Sequence, residues 1–123
     1  MGDILTDPLP ATAMSLDLLK GTLDILILKT VSWGPRHGYG ISKAIREATL
    51  DDLQVEEGAL YPALRRLEKK GLLEAHWDVT DTGREARFYG LTPQGEARLE
   101  TELAHWTRYV DAMSKVLHAE APR

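Results

Sequence analysis

Two stretches of the 123-residue chain have residue types and spacings suited to chemistry, and both suit binding rather than bond-making. The first is Gly58-Ala59-Leu60-Tyr61-Pro62-Ala63-Leu64-Arg65-Arg66-Leu67-Glu68-Lys69. Stepped at about 100° per residue, Leu64 and Leu67 fall within about 40° of Leu60, and Ala63 within about 60°. Gly58, Pro62, Arg65 and Lys69 take the opposite side, with Arg66 beside them and Tyr61 at the border. A glycine and a proline let the start of such a helix come close to a duplex. Arginine reads guanine bidentately or clamps phosphate, and lysine adds a point charge. A solvated amphipathic helix fits the same pattern. The second stretch is a turn, Thr80-Asp81-Thr82-Gly83, followed by Arg84 and Arg87. A cationic hairpin tip reaches a minor groove or the adjacent backbone. An ordinary polar turn is the plainer reading, since Asp81 and Glu85 dilute the charge.

Catalytic chemistry finds no support. The chain has no cysteine, and His37, His76, His105 and His118 show no metal-ligand spacing. No nucleophile motif, phosphate loop or dinucleotide fingerprint occurs. Gly38-Tyr39-Gly40 is too short for a phosphate loop, and Tyr39 fits better as a hydroxyl donor to a DNA phosphate or as a cap on the core. No enzyme activity, cofactor or metal is expected. Net charge is −4, so nucleic-acid binding would come from local arrangement rather than bulk charge. No apolar run approaches the length of a membrane span, and no basic-then-apolar leader opens the chain. A cytoplasmic protein is expected.

These residues need elements to position them. Residues 1–15, with Pro8 and Pro10, read as a mobile arm. Leu16, Leu19, Leu23, Leu26, Ile27 and Val31 recur at helical steps, predicting a helix over residues 15–33 that Gly34-Pro35 stops. Gly21 either weakens its first turns or marks its true start. A second helix is predicted over 39–48, with Ile41, Ala44, Ile45 and Ala48 inward. The link 49–57 is irregular, with Leu53 and Val55 alternating like a very short strand. A third helix covers 58–70, Pro62 lying near its first turn and Gly71 ending it. Leu73, Ala75, Trp77 and Val79 alternate with polar residues as one hairpin strand, and 84–91 forms the other. Thr92 and Pro93 start a last helix, as N-cap and first helical residue, that runs to about Leu117. The expected fold is mainly α with a small β-hairpin: a winged helix-turn-helix over 16–91, then a helix over 92–118 and a frayed tail at 119–123.

The last helix carries a separate signal. Leu99, Leu103, Trp106, Val110, Met113 and Leu117 are spaced 4, 3, 4, 3, 4, a heptad seam. With the winged-helix core complete by Leu91, this stripe needs another surface, and self-association into a homodimer is the economical answer. Folding back onto its own domain is the other. Near a dimer axis, Trp106 with Tyr109 and Val110 could sandwich a small aromatic effector; plain packing of the tryptophan is an equal reading.

Certain runs resemble the PadR family of transcriptional regulators. They are Gly21-Thr22-Leu23-Asp24-Ile25-Leu26, Gly34-Pro35-Arg36-His37-Gly38-Tyr39-Gly40-Ile41, Glu56-Glu57-Gly58-Ala59-Leu60-Tyr61-Pro62-Ala63-Leu64, Leu67-Glu68-Lys69-Lys70-Gly71-Leu72-Leu73, Arg87-Phe88-Tyr89 and Leu91-Thr92-Pro93-Gln94-Gly95. The resemblance spans about Leu18 to Leu117. It implies a dimeric winged-helix DNA-binding protein, usually a repressor, of the prokaryotic cytoplasm. The C-terminal part would mediate dimerisation, and some members bind aromatic or drug-like molecules between subunits. A single C-terminal helix resembles the short subgroup. The expected DNA contacts are Tyr39, Lys43, Gly58, Ala59, Tyr61, Pro62, Arg65, Arg66, Lys69, Arg84 and Arg87. Among them, Arg65 and Arg66 are expected to read bases, and Lys69, Tyr39, Tyr61, Arg84 and Arg87 to hold backbone on a palindromic operator. The competing function is a winged-helix protein-interaction module that touches no DNA.

Overall fold

A computed structural model describes residues 21–122. Helix α1 (Thr22–Ser32) starts after Gly21, whose φ of 87° is a left-handed conformation that glycine adopts without penalty. The helical expectation for residues 15–20 and the arm at 1–15 lie outside the described residues. After Gly34-Pro35 comes a two-residue strand, β1 (Arg36–His37), and then α2 (Gly38–Ala48) and α3 (Glu57–Lys69). The hairpin is β2 (Leu73–Val79) and β3 (Glu85–Leu91), and α4 (Pro93–Leu117) closes the order. The architecture is the expected one: mainly helical, with a winged helix-turn-helix followed by one long helix.

The core forms where the inward faces of α1, α2 and α3 meet the root of the hairpin. Ile27, Leu28, Val31, Ile41, Ile45, Leu60, Leu64, Leu67, Leu73 and Tyr89 are all buried there. Each large side chain so buried stabilises the fold by about 1.5–3 kcal/mol relative to exposure. The predicted inward face of α3 (Leu60, Ala63, Leu64 and Leu67) is the buried one.

The sheet has three antiparallel strands in the order β1-β3-β2, one more than the hairpin alone. His37 pairs with Phe88, which pairs with His76. The His37 ring lies flat on Phe88 at 5.1 Å and the His76 ring sits 5.9 Å away on the other side. This row of rings pins the start of α2 to the wing. Leu53 and Val55 form no strand. Val55 is buried, and its carbonyl accepts from the Ser42 hydroxyl at 3.5 Å, so the alternation reflects packing under α2 rather than pairing.

The hairpin and α4 meet at a tight corner. Thr92 caps α4: its hydroxyl oxygen accepts from the Gly95 N–H at 3.0 Å and its hydroxyl donates to the Gly71 carbonyl at 2.6 Å. A Cβ at Gly95 would overlap the Leu72 carbonyl oxygen, so this close approach of helix to strand requires glycine. The first turns of α4 then lie on α1, and Leu99 is partly buried against the core of its own protomer. Leu103, Trp106, Val110, Met113 and Leu117 remain exposed.

Candidate nucleic-acid interface

Helix α3 presents its outward face through residues that an α-helix does not favour. Pro62 lies in the second turn rather than near the first, so it lacks the N–H that would bond the Gly58 carbonyl one turn back. A proline ring also crowds that carbonyl, and the residue carrying it is a glycine. A Cβ at Gly58 would meet nothing within 4 Å, so the packing of the protomer does not require glycine there. Two residues that weaken a helix therefore stand one turn apart on its exposed face, and no contact among the described residues explains them. Arg65 and Lys69 continue that face, exposed and without an ion pair among the described residues. Ala59 lies exposed at its edge.

The other two cations differ. Arg66 lies toward α1 and pairs with Asp24, while Arg87 of β3 reaches across to Glu68 of α3, Nη2 to Oε2 at 2.6 Å. Both pairs are partly exposed, so each contributes at most about 1 kcal/mol to stability. Their geometric effect is larger: α3 is tied to α1 on one flank and to the wing on the other, with Arg65 between the ties. Arg66 and Arg87, both expected to contact DNA, are each paired with a carboxylate within the protomer.

Helix α2 brings a third component. The His37 Nδ1 accepts from the Gly40 N–H at 3.2 Å and so caps α2. This role went unrecognised in the sequence because the usual caps are Ser, Thr, Asp and Asn. A Cβ at Gly38 would come within 2.7 Å of the Tyr61 ring, so Gly38 exists to let Tyr61 of α3 lie against the start of α2. Tyr39 is 61% exposed beside it, and Lys43 follows one turn later, exposed and without an ion pair among the described residues. At the wing tip the Thr80 N–H donates to the Arg84 carbonyl at 2.8 Å and the Gly83 N–H donates to the Thr80 carbonyl at 2.9 Å, leaving the Arg84 side chain exposed.

Between these components lies Tyr89. Burial pushes its phenol above the ordinary 10.0; Arg87 opposes that shift, Glu68 adds to it, and Tyr61 and Arg65 act more weakly. Tyr89 is buried on β3, two residues from Arg87 along the strand.

On α4, the start of α1 and the inner edge of the helix enclose a cleft of about 380 Å³ lined by Gly21, Thr22, Ile25, Glu102, His105, Trp106 and Tyr109. The Trp106 and Tyr109 rings are 6.1 Å apart. Val110 does not line this cleft within the protomer. Among the described residues there is no group of three or more metal-ligating side chains, and no helix is long and apolar enough to cross a membrane.

Known proteins with similar sequences and structures agree with this arrangement. A sequence model described as the transcriptional regulator PadR-like family matches residues 27–101, more than half of the chain. An uncharacterised protein of Lysinibacillus sphaericus is 37% identical over 91 residues, 73% of this chain and 83% of that protein. A transcriptional regulator of Mycobacterium tuberculosis is 42% identical over 64 residues, 52% of this chain and 46% of the regulator. The crystal structure of a PadR-like transcriptional regulator from Bacillus cereus superposes with a TM-score of 0.72 at 28% identity, covering 83% of this chain and 97% of its own. Proteins of this kind are DNA-binding regulators and not enzymes, and the chain belongs to the PadR-like family of transcriptional regulators.

Proposed function

We propose that the protein is a repressor that binds a palindromic operator as a homodimer in a prokaryotic cytoplasm. The outward face of α3 supports this reading most directly: Gly58 and Pro62, unfavourable for the helix and unexplained by packing, lead into Arg65 and Lys69, which have no partner acids among the described residues. Local rules broken without internal compensation mark functional surfaces. In this reading α3 enters the major groove and Arg65 reads a base. Lys69, Lys43, Tyr39, Tyr61 and Arg84 hold the flanking phosphates. Arg66 and Arg87 set the attitude of the helix through Asp24 and Glu68.

The exposed apolar residues of α4 support dimerisation. Leu103, Trp106, Val110, Met113 and Leu117 are each 40–70% exposed, and a second copy is the simplest cover for a heptad stripe. A small aromatic effector would enter the cleft beside Trp106 and Tyr109 and alter the spacing of the two α3 helices.

Selection of bound fragments from random DNA, followed by titration with Arg65→Ala, tests the reading. The expected result is an enriched inverted repeat, and a loss of discrimination of about 1–3 kcal/mol in the variant. Failure to enrich any sequence would favour the protein-interaction alternative.

A further inference from the structure

The wing carries an aromatic residue that the proposed DNA contacts leave unused. Leu73 and Ala75 of β2 face the core, and strand alternation puts Trp77 and Val79 on the same side. The hairpin outruns the core, however, so Trp77 is 69% and Val79 56% exposed. Among the described residues no ring or cation contact accounts for an indole this exposed. Its surroundings suggest an explanation.

Trp77 pairs directly with Arg87, and Arg87 reaches Glu68 of α3. The next pair inward is Ala75 with Tyr89, which is buried against the core. The sheet face that carries Trp77 is therefore the one turned toward α3 through Arg87 and Glu68. Arg65 on α3 and Arg84 at the wing tip are exposed cations on the same two elements. The acids there are Glu68, held by Arg87, and Glu85 opposite Val79. Asp78 points to the other face of the sheet with His76.

We propose that Trp77 is a DNA-contacting residue that packs on the deoxyribose–phosphate strand bordering the groove occupied by α3. This rests on the DNA-binding reading above and adds a contact of a different chemical kind. A helix in the major groove leaves one strand of the duplex lying between it and the wing. That strand offers apolar sugar edges to a flat ring and phosphate oxygens to the indole N–H. Arg65 and Arg84 flank the same strand with positive charge. The contact carries no base information, so it adds affinity without adding specificity.

The test is a titration of selected and unrelated duplexes with wild type, Trp77→Ala, Trp77→Phe and Arg84→Ala at several salt concentrations, with sedimentation of each protein alone. Trp77→Ala is expected to weaken binding to both duplexes about tenfold, equivalent to about 1.4 kcal/mol. Its salt slope should be unchanged, Trp77→Phe should recover most of the loss, and Arg84→Ala should flatten the slope by about one unit. Unchanged affinity in Trp77→Ala beside normal wild-type binding overturns the proposal and leaves the DNA reading intact. Loss of self-association in Trp77→Ala overturns it too, since the ring would then belong to a contact between copies. Absence of wild-type binding to every duplex removes both readings together.

Discussion

Single residues decide where this protein departs from generic packing. Gly58 is the clearest case, since a methyl group there would meet open space. Gly58→Ala should stabilise the free protein by up to about 1 kcal/mol in thermal or urea denaturation, while weakening binding to all duplexes by keeping the helix away from the groove. An unchanged affinity would remove Gly58 from the interface. Tyr89 supplies a pH dependence. Its phenol titrates above 10.0 in the folded protein, so the folded state holds that proton more tightly than the unfolded chain. The stability linked to Tyr89 is therefore constant below pH 10 and falls as pH rises beyond it. Tyr89→Phe should flatten this alkaline decline in Tm; parallel curves would place its source elsewhere. Much at this scale was legible in sequence. Thr92, Pro93 and Gly95 announced a helix start, and the outward set of α3 followed from its period. The ion pairs of Arg66 and Arg87 were not legible, because Asp24 and Glu68 come from elements brought beside them only by folding.

At the scale of elements, helical and strand periods located α2, α3, both hairpin strands and α4 to within a residue or so, because each has a face against the core. Strand β1 escaped notice, since two residues carry no period and Arg36–His37 is a strand only because Tyr89 and Phe88 lie alongside. Trp77 exposed a different limit. Alternation put it on the correct face, but sequence does not show how far a hairpin extends past the core. The docking of α4 depends on the Thr92–Gly95 corner against Leu72. Gly95→Ala forces the helix away from the strand and should destabilise the protein by about 1–3 kcal/mol in urea denaturation. Wild-type stability in that variant would mean that α4 tolerates a different seat.

At the scale of the whole molecule, α4 packs partly on its own domain and, in the proposed dimer, partly on a second copy. The heptad spacing on α4 was plain in the sequence, but spacing alone does not say which surface covers it. Leu99 packs partly on its own core and α4 lies along α1, while the stripe from Leu103 onward is exposed among the described residues. The combined substitutions Leu103→Asp and Val110→Asp should therefore give folded monomers in sedimentation, with thermal stability close to that of the parent domain and operator binding largely lost. Persistence of a dimer would assign the interface to another surface. Without a partner, each protomer offers one α3 and one wing, enough for a half-site. Two copies joined through α4 would present two half-sites related by a twofold axis.

Hydroxyl-radical footprinting on a selected operator measures that relation directly. The account predicts two protected patches on one face of the duplex, centred about one helical turn (10–10.5 base pairs) apart, at two chains per site. A single patch bound by one chain, or two patches on opposite faces of the duplex, would contradict it.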